Sequence, residues 1–218
     1  MRRAWLFVLA AAVLVGGAAC KRREAAKGLD LELIRVSTDA VLRTDTVGGG
    51  AFTDTATFVL VDAENHGEVG AYVTLGGALV EQGGAEVGEL KAQSLWIPAG
   101  ESRTFALVDA ERKPRPAART VRIEVRGAVV PDDPPRARIE ELHRFVDQDR
   151  LVVQAYLVND ADRIGQIVVI GAFHDEANRP MTRPFELVEI APRSRQVVKF
   201  ISPPRAKRGT IFVGDAVY

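Results

Sequence analysis

Among the residues whose types and spacing suit chemistry, the segment His174-Asp175-Glu176 is the most reactive combination. It places an imidazole beside two carboxylates, a grouping used for metal binding and for acid–base catalysis. The segment ends a predicted strand, and side chains alternate between the two faces of a strand. Phe173 is expected to face the core, so His174 should face solvent. We therefore interpret the cluster as the solvated end of a strand.

Two other groups of side chains are weaker candidates for a metal site. His66 and His143 lie far from His174 in the sequence, and no histidine or cysteine spacing is typical of zinc. Calcium loops supply oxygen ligands in a fixed order, and the aspartates that could approach one another show no such order. We interpret them as parts of a linker and a polar turn: Asp132, Asp133, Asp160 and Asp162.

Nucleophile and phosphate motifs give no support to an enzyme. Ser102 and Ser194 lack the Gly-x-Ser-x-Gly context of a hydrolase. The glycines Gly48-Gly49-Gly50 are not followed by the Lys and Ser/Thr of a phosphate loop. The sequence therefore predicts a protein that is not an enzyme and that needs no cofactor or metal. Trp96 follows a predicted strand and precedes a turn. It is either a core residue or an exposed contact, and we favour the core.

The N-terminus has the composition of a secretory signal peptide. Met1-Arg2-Arg3 is basic, residues 4–15 are apolar, residues 16–19 are small, and Cys20 follows. The apolar run is shorter than the ~20 residues of a membrane-spanning helix. Cys20, the single cysteine of the chain, resembles the lipid-accepting cysteine of bacterial lipoproteins. Gly17 departs from the large aliphatic residue of that pattern, and an ordinary cleaved signal or an uncleaved anchor are the alternatives.

The lipoprotein resemblance implies a mature chain that begins at Cys20 and attaches to a membrane through acyl chains on that residue. Several acyl chains together anchor a protein stably. The basic residues 21–23 would then lie among anionic headgroups. By resemblance to the sorting of enterobacterial lipoproteins, the absence of an aspartate after Cys20 implies the outer membrane of the bacterial envelope. Because acidic and basic residues balance at 29 each, the sequence predicts no nucleic-acid partner.

Two stretches with one shared pattern, residues 57–81 and 151–175, organise the rest of the chain. Asn65 aligns with Asn159 and Gly77 with Gly171, at one constant spacing and without a gap. Alternating apolar residues predict one buried row in each copy. The rows are Val73, Leu75, Gly77 and Leu79 in the first copy, and Ile167, Val169, Gly171 and Phe173 in the second. The pattern indicates a duplicated strand–turn–strand unit.

The sequence thus predicts an all-β protein with two tandem β-sandwich domains. The predicted parts are a signal peptide over 1–19, an anchor and tether over 20–30, a first domain over 31–130, a proline-rich linker over 131–136 and a second domain over 137–218. We expect a strand over 31–36 and a flexible loop over 44–53. Proline in the linker should restrict the relative orientation of the domains.

The domains resemble small immunoglobulin-like modules of the FxLYD type. The similar features are the strand that runs from Val153 to Asn159, the segment Gly171-Ala172-Phe173-His174-Asp175, and the turn Pro98-Ala99-Gly100-Glu101. The resemblance implies binding or spacer units without a shared active site. We therefore expect a non-enzymatic, lipid-anchored envelope protein with an envelope-protein or cell-wall partner. The alternative is an accessory subunit of an envelope assembly or secretion complex.

Overall fold

The computed structural model describes residues 27–48 and 53–218, and it confirms the all-β class. A short 3₁₀ helix covers Leu31–Leu33. The strands are β1 Lys27–Gly28, β2 Ile34–Val36, β3 Val41–Val47, β4 Asp54–Asn65, β5 Ala71–Val80, β6 Glu86–Ile97, β7 Ser102–Val108, β8 Thr120–Val130, β9 Ala137–Asp147, β10 Arg150–Asn159, β11 Gly165–His174, β12 Pro180–Thr182, β13 Phe185–Ile190, β14 Ser194–Ile201 and β15 Arg208–Val217.

The strands form two sandwiches, each made of two antiparallel sheets. In the first sandwich, one sheet has the order β1-β8-β5-β6, and the other places β4 between β7 and the pair β2 and β3. In the second, one sheet has the order β14-β10-β9, and the other places β11 between β15 and the pair β12 and β13. The strand β4 therefore corresponds to β10, and β5 to β11. The predicted linker runs between β8 and β9.

The predicted buried rows are confirmed in both sandwiches. Val73, Leu75 and Leu79 are fully buried, and so are Ile167, Val169 and Phe173 in the second copy. The aligned glycines allow close approach. A Cβ atom on Gly77 would overlap the carbonyl oxygen of Arg122, and one on Gly171 would lie 2.7 Å from the Phe200 ring. Alternating burial thus places each row between two sheets.

A buried asparagine closes the same turn in each sandwich. The Asn65 side chain donates to the carbonyls of Val69 and Ile97, at 2.8 and 3.0 Å, and accepts the Gly67 N–H at 2.9 Å. Asn159 donates to Arg163 O at 2.9 Å and Ala191 O at 3.0 Å, and it accepts the Ala161 N–H at 2.9 Å. Both asparagines are fully buried. One side chain in each copy therefore joins two strands and a turn.

Three predictions for the N-terminal part of the chain differ from the structure in their bounds, whereas β2 confirms residues 34–36 of the predicted first strand. Residues 44–47 of the predicted loop extend β3, which pairs with β4 over its whole length and joins Thr44 to Thr57 by a 2.8 Å hydroxyl bond. Residues 31–33 are helical rather than extended, because the Asp30 side chain accepts the Glu32 N–H and caps the turn. Lys27–Gly28, expected in the tether, pair with Val130 and Val129. The loop residues 49–52 lie outside the described residues.

The strand β11 is buried on both faces over residues 169–174. Val169 and Phe173 face the interior of the second sandwich, whereas Ile170, Ala172 and Phe212 belong to the buried apolar cluster of the first sandwich. Ile170 pairs with Phe212 across β11 and β15, and the two side chains are 2% and 1% exposed. Apolar packing therefore fixes the two sandwiches to each other.

The first sandwich has different residues at the equivalent positions. Gly76 stands where the second copy has Ile170, and its cross-strand partner is Glu124 where the second copy has Phe212. The Arg126 side chain covers Gly76 so closely that a Cβ atom there would overlap it. The same frame thus carries an apolar contact row in one copy and a glycine beneath an arginine in the other.

Replacing Asn65 or Asn159 by alanine should lower the free energy of unfolding by about 2–4 kcal/mol, because each change leaves several buried backbone groups without a partner. Chemical denaturation of each variant measures the loss. The control is Gln196→Ala, at an exposed position of β14, with an expected change within about 0.5 kcal/mol. A loss at Asn65 or Asn159 as small as that of the control would contradict the role of the asparagine.

Phe212→Ala should lower the free energy of unfolding by about 3–5 kcal/mol, as expected for a buried phenylalanine. Since Phe212 joins the two sandwiches, we expect the parent protein to unfold in one transition and the variant to unfold in two. Calorimetry of the variant detects both effects. Phe145→Ala is the matched control, because Phe145 is 41% exposed, and it should leave one transition. A single, unshifted transition in the Phe212 variant would be inconsistent with the described contact.

Candidate functional site

A groove of about 1340 Å³ lies where the two sandwiches meet. One wall consists of residues 91–96 of β6, and the opposite wall consists of residues 210–216 of β15. The linker contributes Pro131 and residues 133–136. The groove therefore exists only because the second sandwich is packed against the first.

The backbone edge of β6 is open along this groove. In the described part of the chain β6 forms a ladder with β5 alone. Its other edge meets the end of β7 only at Leu90, which bridges Asp109, and at Glu89, whose carbonyl accepts the Ala110 N–H at 2.8 Å. Beyond that point the two strands separate, and the Gln93 side chain accepts the Ala106 N–H at 3.0 Å. Residues 91–96 thus line the groove as an unpaired strand edge.

Two arginines flank the Phe212 ring in the groove. The guanidinium carbons of Arg103 and Arg183 lie 5.3 and 5.9 Å from the ring centroid, within the range of cation–π attraction. Arg103 Nη1 binds the Glu101 carboxylate at 2.7 Å. Arg183 Nε donates to the Thr104 carbonyl at 2.7 Å, which is a contact between the two sandwiches. The site thus joins two cations to one aromatic ring.

The hydrogen-bonding capacity of these arginines is not used up by the described residues. Arg103 Nε and Arg183 Nη2 are buried and have no acceptor there. Burial lowers the pKa of Arg183 to about 10. Burial also lowers the pKa of Arg103, and the Glu101 carboxylate offsets part of that change. Both groups stay protonated at neutral pH, so the groove contains desolvated positive charge.

An aromatic pair forms another part of the groove wall. The rings of Tyr72 and Trp96 are 5.4 Å apart, and a Cβ atom on Gly70 would overlap the Trp96 indole. The prediction that Trp96 lies in the core was wrong. Its neighbours Leu95 and Ile97 occupy the interior face of β6, so alternation places Trp96 on the outer face, where it lines the groove.

The expectation that His174 faces solvent was also wrong. Its Nε2 lies 2.9 Å from Asp62 Oδ2 and 3.4 Å from Thr104 Oγ1, and the residue is 9% exposed. Thr104 in turn donates to Asp62 Oδ1 at 2.5 Å. His174 does lie on the face opposite Phe173, as alternation predicts, but β4 and β7 of the first sandwich cover that face. His174 is therefore part of the contact between the sandwiches.

Three of the acidic residues that the sequence analysis considered as candidate site residues form ion pairs with arginines. Asp160 forms an ion pair with Arg138. Hydrogen bonds from Arg193, 2.8 Å away, lower the pKa of Asp162. Asp175 binds Arg179 at 2.8 Å.

The two serine candidates lie in different sandwiches, Ser102 on β7 and Ser194 on β14. Ser194 donates to the Ala191 carbonyl at 2.8 Å, whereas Ser102 is exposed. Across residues 27–48 and 53–218 the structure contains no group of three His, Cys, Asp or Glu side chains suited to a metal. Cys20 lies outside the described residues.

Sequence reasoning missed Arg103, Arg183 and Phe212 as site residues. One signal was present: residues 167–173 read IVVIGAF, and a continuous apolar run is typical of a strand buried on both faces. That run predicts a covering surface for β11 without identifying it. Neither arginine lies in a recognisable motif, because the two meet only through the packing of the sandwiches.

The Asp62–His174 contact should show energetic coupling in a double-mutant cycle. Alanine substitutions at both residues, singly and together, should give a coupling energy of about 1–2 kcal/mol, since both side chains are largely buried. The Glu64–His66 pair is the control, because its side chains are 48% and 34% exposed. It should couple by about 0.5 kcal/mol or less. Urea denaturation at pH 7 measures both cycles. Equal coupling energies in the two cycles would contradict a stronger interaction in the buried Asp62–His174 pair.

Comparison with known proteins finds neither a protein-family model nor a curated protein that matches this chain. Within the part of the chain that the structure describes, no helix has the length and apolar character needed to cross a membrane.

Proposed function

We propose that this protein is a non-enzymatic, lipid-anchored component of the bacterial envelope that acts as a binding module. The groove between the sandwiches is the observation that carries the proposal. It combines an open strand edge, an aromatic pair and two guanidiniums with unused N–H groups. Such a combination suits recognition of another molecule, because it offers apolar area and a few convergent polar groups.

The position of β1 supports attachment through the N-terminus. Lys27 pairs with Val130, the residue directly before the linker. Cys20 precedes Lys27 by seven residues, and a fully extended chain spans about 3.5 Å per residue, so the reach is about 25 Å. Acylation of Cys20 would therefore hold the junction of the sandwiches near the membrane surface. The outer membrane is the proposed location.

A role as accessory subunit of an envelope assembly or secretion complex is the second candidate. Phe185 and Leu187 on β13 favour it, because they are 51% and 65% exposed. Among the described residues β13 pairs with β11 alone, and exposed apolar side chains on such an edge strand suit a permanent subunit contact. Purification after membrane solubilisation separates the two roles, since only the subunit role requires a partner at fixed stoichiometry.

Cys20→Ala should abolish incorporation of labelled palmitate and release the protein from the membrane fraction, because the thiol that accepts the lipid is lost. Metabolic labelling followed by fractionation measures both effects. Ala19→Gly is the control, since it keeps a small residue before the cysteine and should leave labelling intact. Continued labelling of the Cys20 variant would disprove the anchor.

A further inference from the structure

We propose that the groove binds an acidic peptide segment in extended conformation, with a ligand carboxylate at Arg103 and Arg183 and the ligand backbone along the free edge of β6. The inference rests on the proposed binding role and names its ligand class. The positive charge of the site, the unpaired strand edge and the composition of the lining carry it together.

The guanidiniums supply the specificity for an anion. Their hydrogen bonds to described residues use Nη1 of Arg103 and Nε of Arg183, whereas the buried Nε of Arg103 and Nη2 of Arg183 have no acceptor. Leaving a charged donor desolvated and unpaired is unfavourable. A guanidinium presents parallel N–H groups that match the two oxygens of a carboxylate. A carboxylate in the groove would relieve the electrostatic cost of both arginines.

The charge of the lining agrees with an acidic ligand. Five basic and three acidic side chains line the groove, a net charge of +2, in a chain whose formal net charge is zero. Glu101, the carboxylate that binds Arg103, has a side chain that is 54% exposed. A ligand carboxylate can therefore replace Glu101 at Arg103, because the displaced Glu101 carboxylate is exposed to solvent and does not become a buried, unpaired charge.

The strand edge favours a peptide over a small anion. Residues 91–96 line the groove and have no strand neighbour on that side among the described residues. Six residues of strand extend over about 20 Å at roughly 3.3 Å per residue. An added strand would pair with this backbone and place alternate side chains toward the groove, as in other cases of β-augmentation. Phosphate or a lipid headgroup would use the arginines and leave the edge empty.

The fluorescence of Trp96, which lines the groove, provides a direct assay. Trp96 is the one tryptophan left after removal of the predicted signal peptide, and Trp5→Phe gives the same readout in a chain that keeps that segment. The probe is an eight-residue peptide with blocked ends, alternating Thr and Val with one central Glu. The matched peptide has Gln at that position. The Glu peptide should change the Trp96 fluorescence and bind at least about tenfold more tightly than the Gln peptide. N-methylation of alternate amides should weaken binding about tenfold by blocking the strand pairing.

Variants of the protein test the arginines. Arg183→Gln should remove the preference for Glu over Gln, and Arg183→Lys should restore only part of it, because lysine lacks the bidentate geometry. Arg122→Gln is the control, since Arg122 lies outside the groove and is 54% exposed; it should bind both peptides as the parent does. The comparison of the two peptides on the parent protein needs no variant to fold.

Three results would overturn the proposal. They are equal affinity for the Glu and Gln peptides, an unchanged preference in Arg183→Gln, and binding of inorganic phosphate or of anionic lipid vesicles in the absence of peptide binding. The last result would assign the arginines to an anion from another source. Palmitate labelling at Cys20 is measured separately, so failure of the peptide site and failure of the anchored role are distinguishable.

Discussion

The packing of Ile170 and Phe212 against the first sandwich is the contact on which the arrangement of this protein depends. It buries Ile170, Ala172 and Phe212 on the outer face of a sheet whose inner face already forms part of the core of the second sandwich. Without it, the side of the first sandwich that contains β6 and β7 would expose apolar residues to water. The same contact withdraws Arg103 and Arg183 from solvent and places them beside one ring. The groove and its charge are thus consequences of the docking of the two sandwiches.

The two copies of the repeat share the residues that maintain the fold and differ in residues on the outer surface. The buried asparagines make equivalent hydrogen bonds in both copies, and the aligned glycines allow a close approach in both. These positions maintain the frame of each sandwich. The outer faces of β5 and β11 differ strongly, because one carries Gly76 beneath Arg126 and the other carries Ile170. The two copies differ at a few outward positions, and the second copy carries the apolar docking row there.

Much of the frame could be predicted from sequence, because it follows local rules. Alternating burial identified both rows, and the Asn turns identified where β4 and β10 end. The docking could not be predicted. Alternation with a period of two identifies the side chains that point away from one core, but it does not identify the surface that covers them. His174 and Trp96 illustrate this: alternation placed His174 correctly on the outer face, but only the partner sandwich buries it. The polar segment 44–47 reads as a loop, and pairing with β4 makes it a strand.

Gly76 and Glu124 have a consequence for self-association. A head-to-tail contact between unlike surfaces can repeat without end when every unit presents both surfaces. The second sandwich presents the Ile170–Phe212 row, but that row is already occupied within the same molecule. At the equivalent place the first sandwich presents a glycine, a carboxylate and an overlying arginine. A neighbouring molecule therefore meets charged side chains at this place. The apolar docking that joins the two sandwiches of one chain does not repeat between molecules to form a fibre.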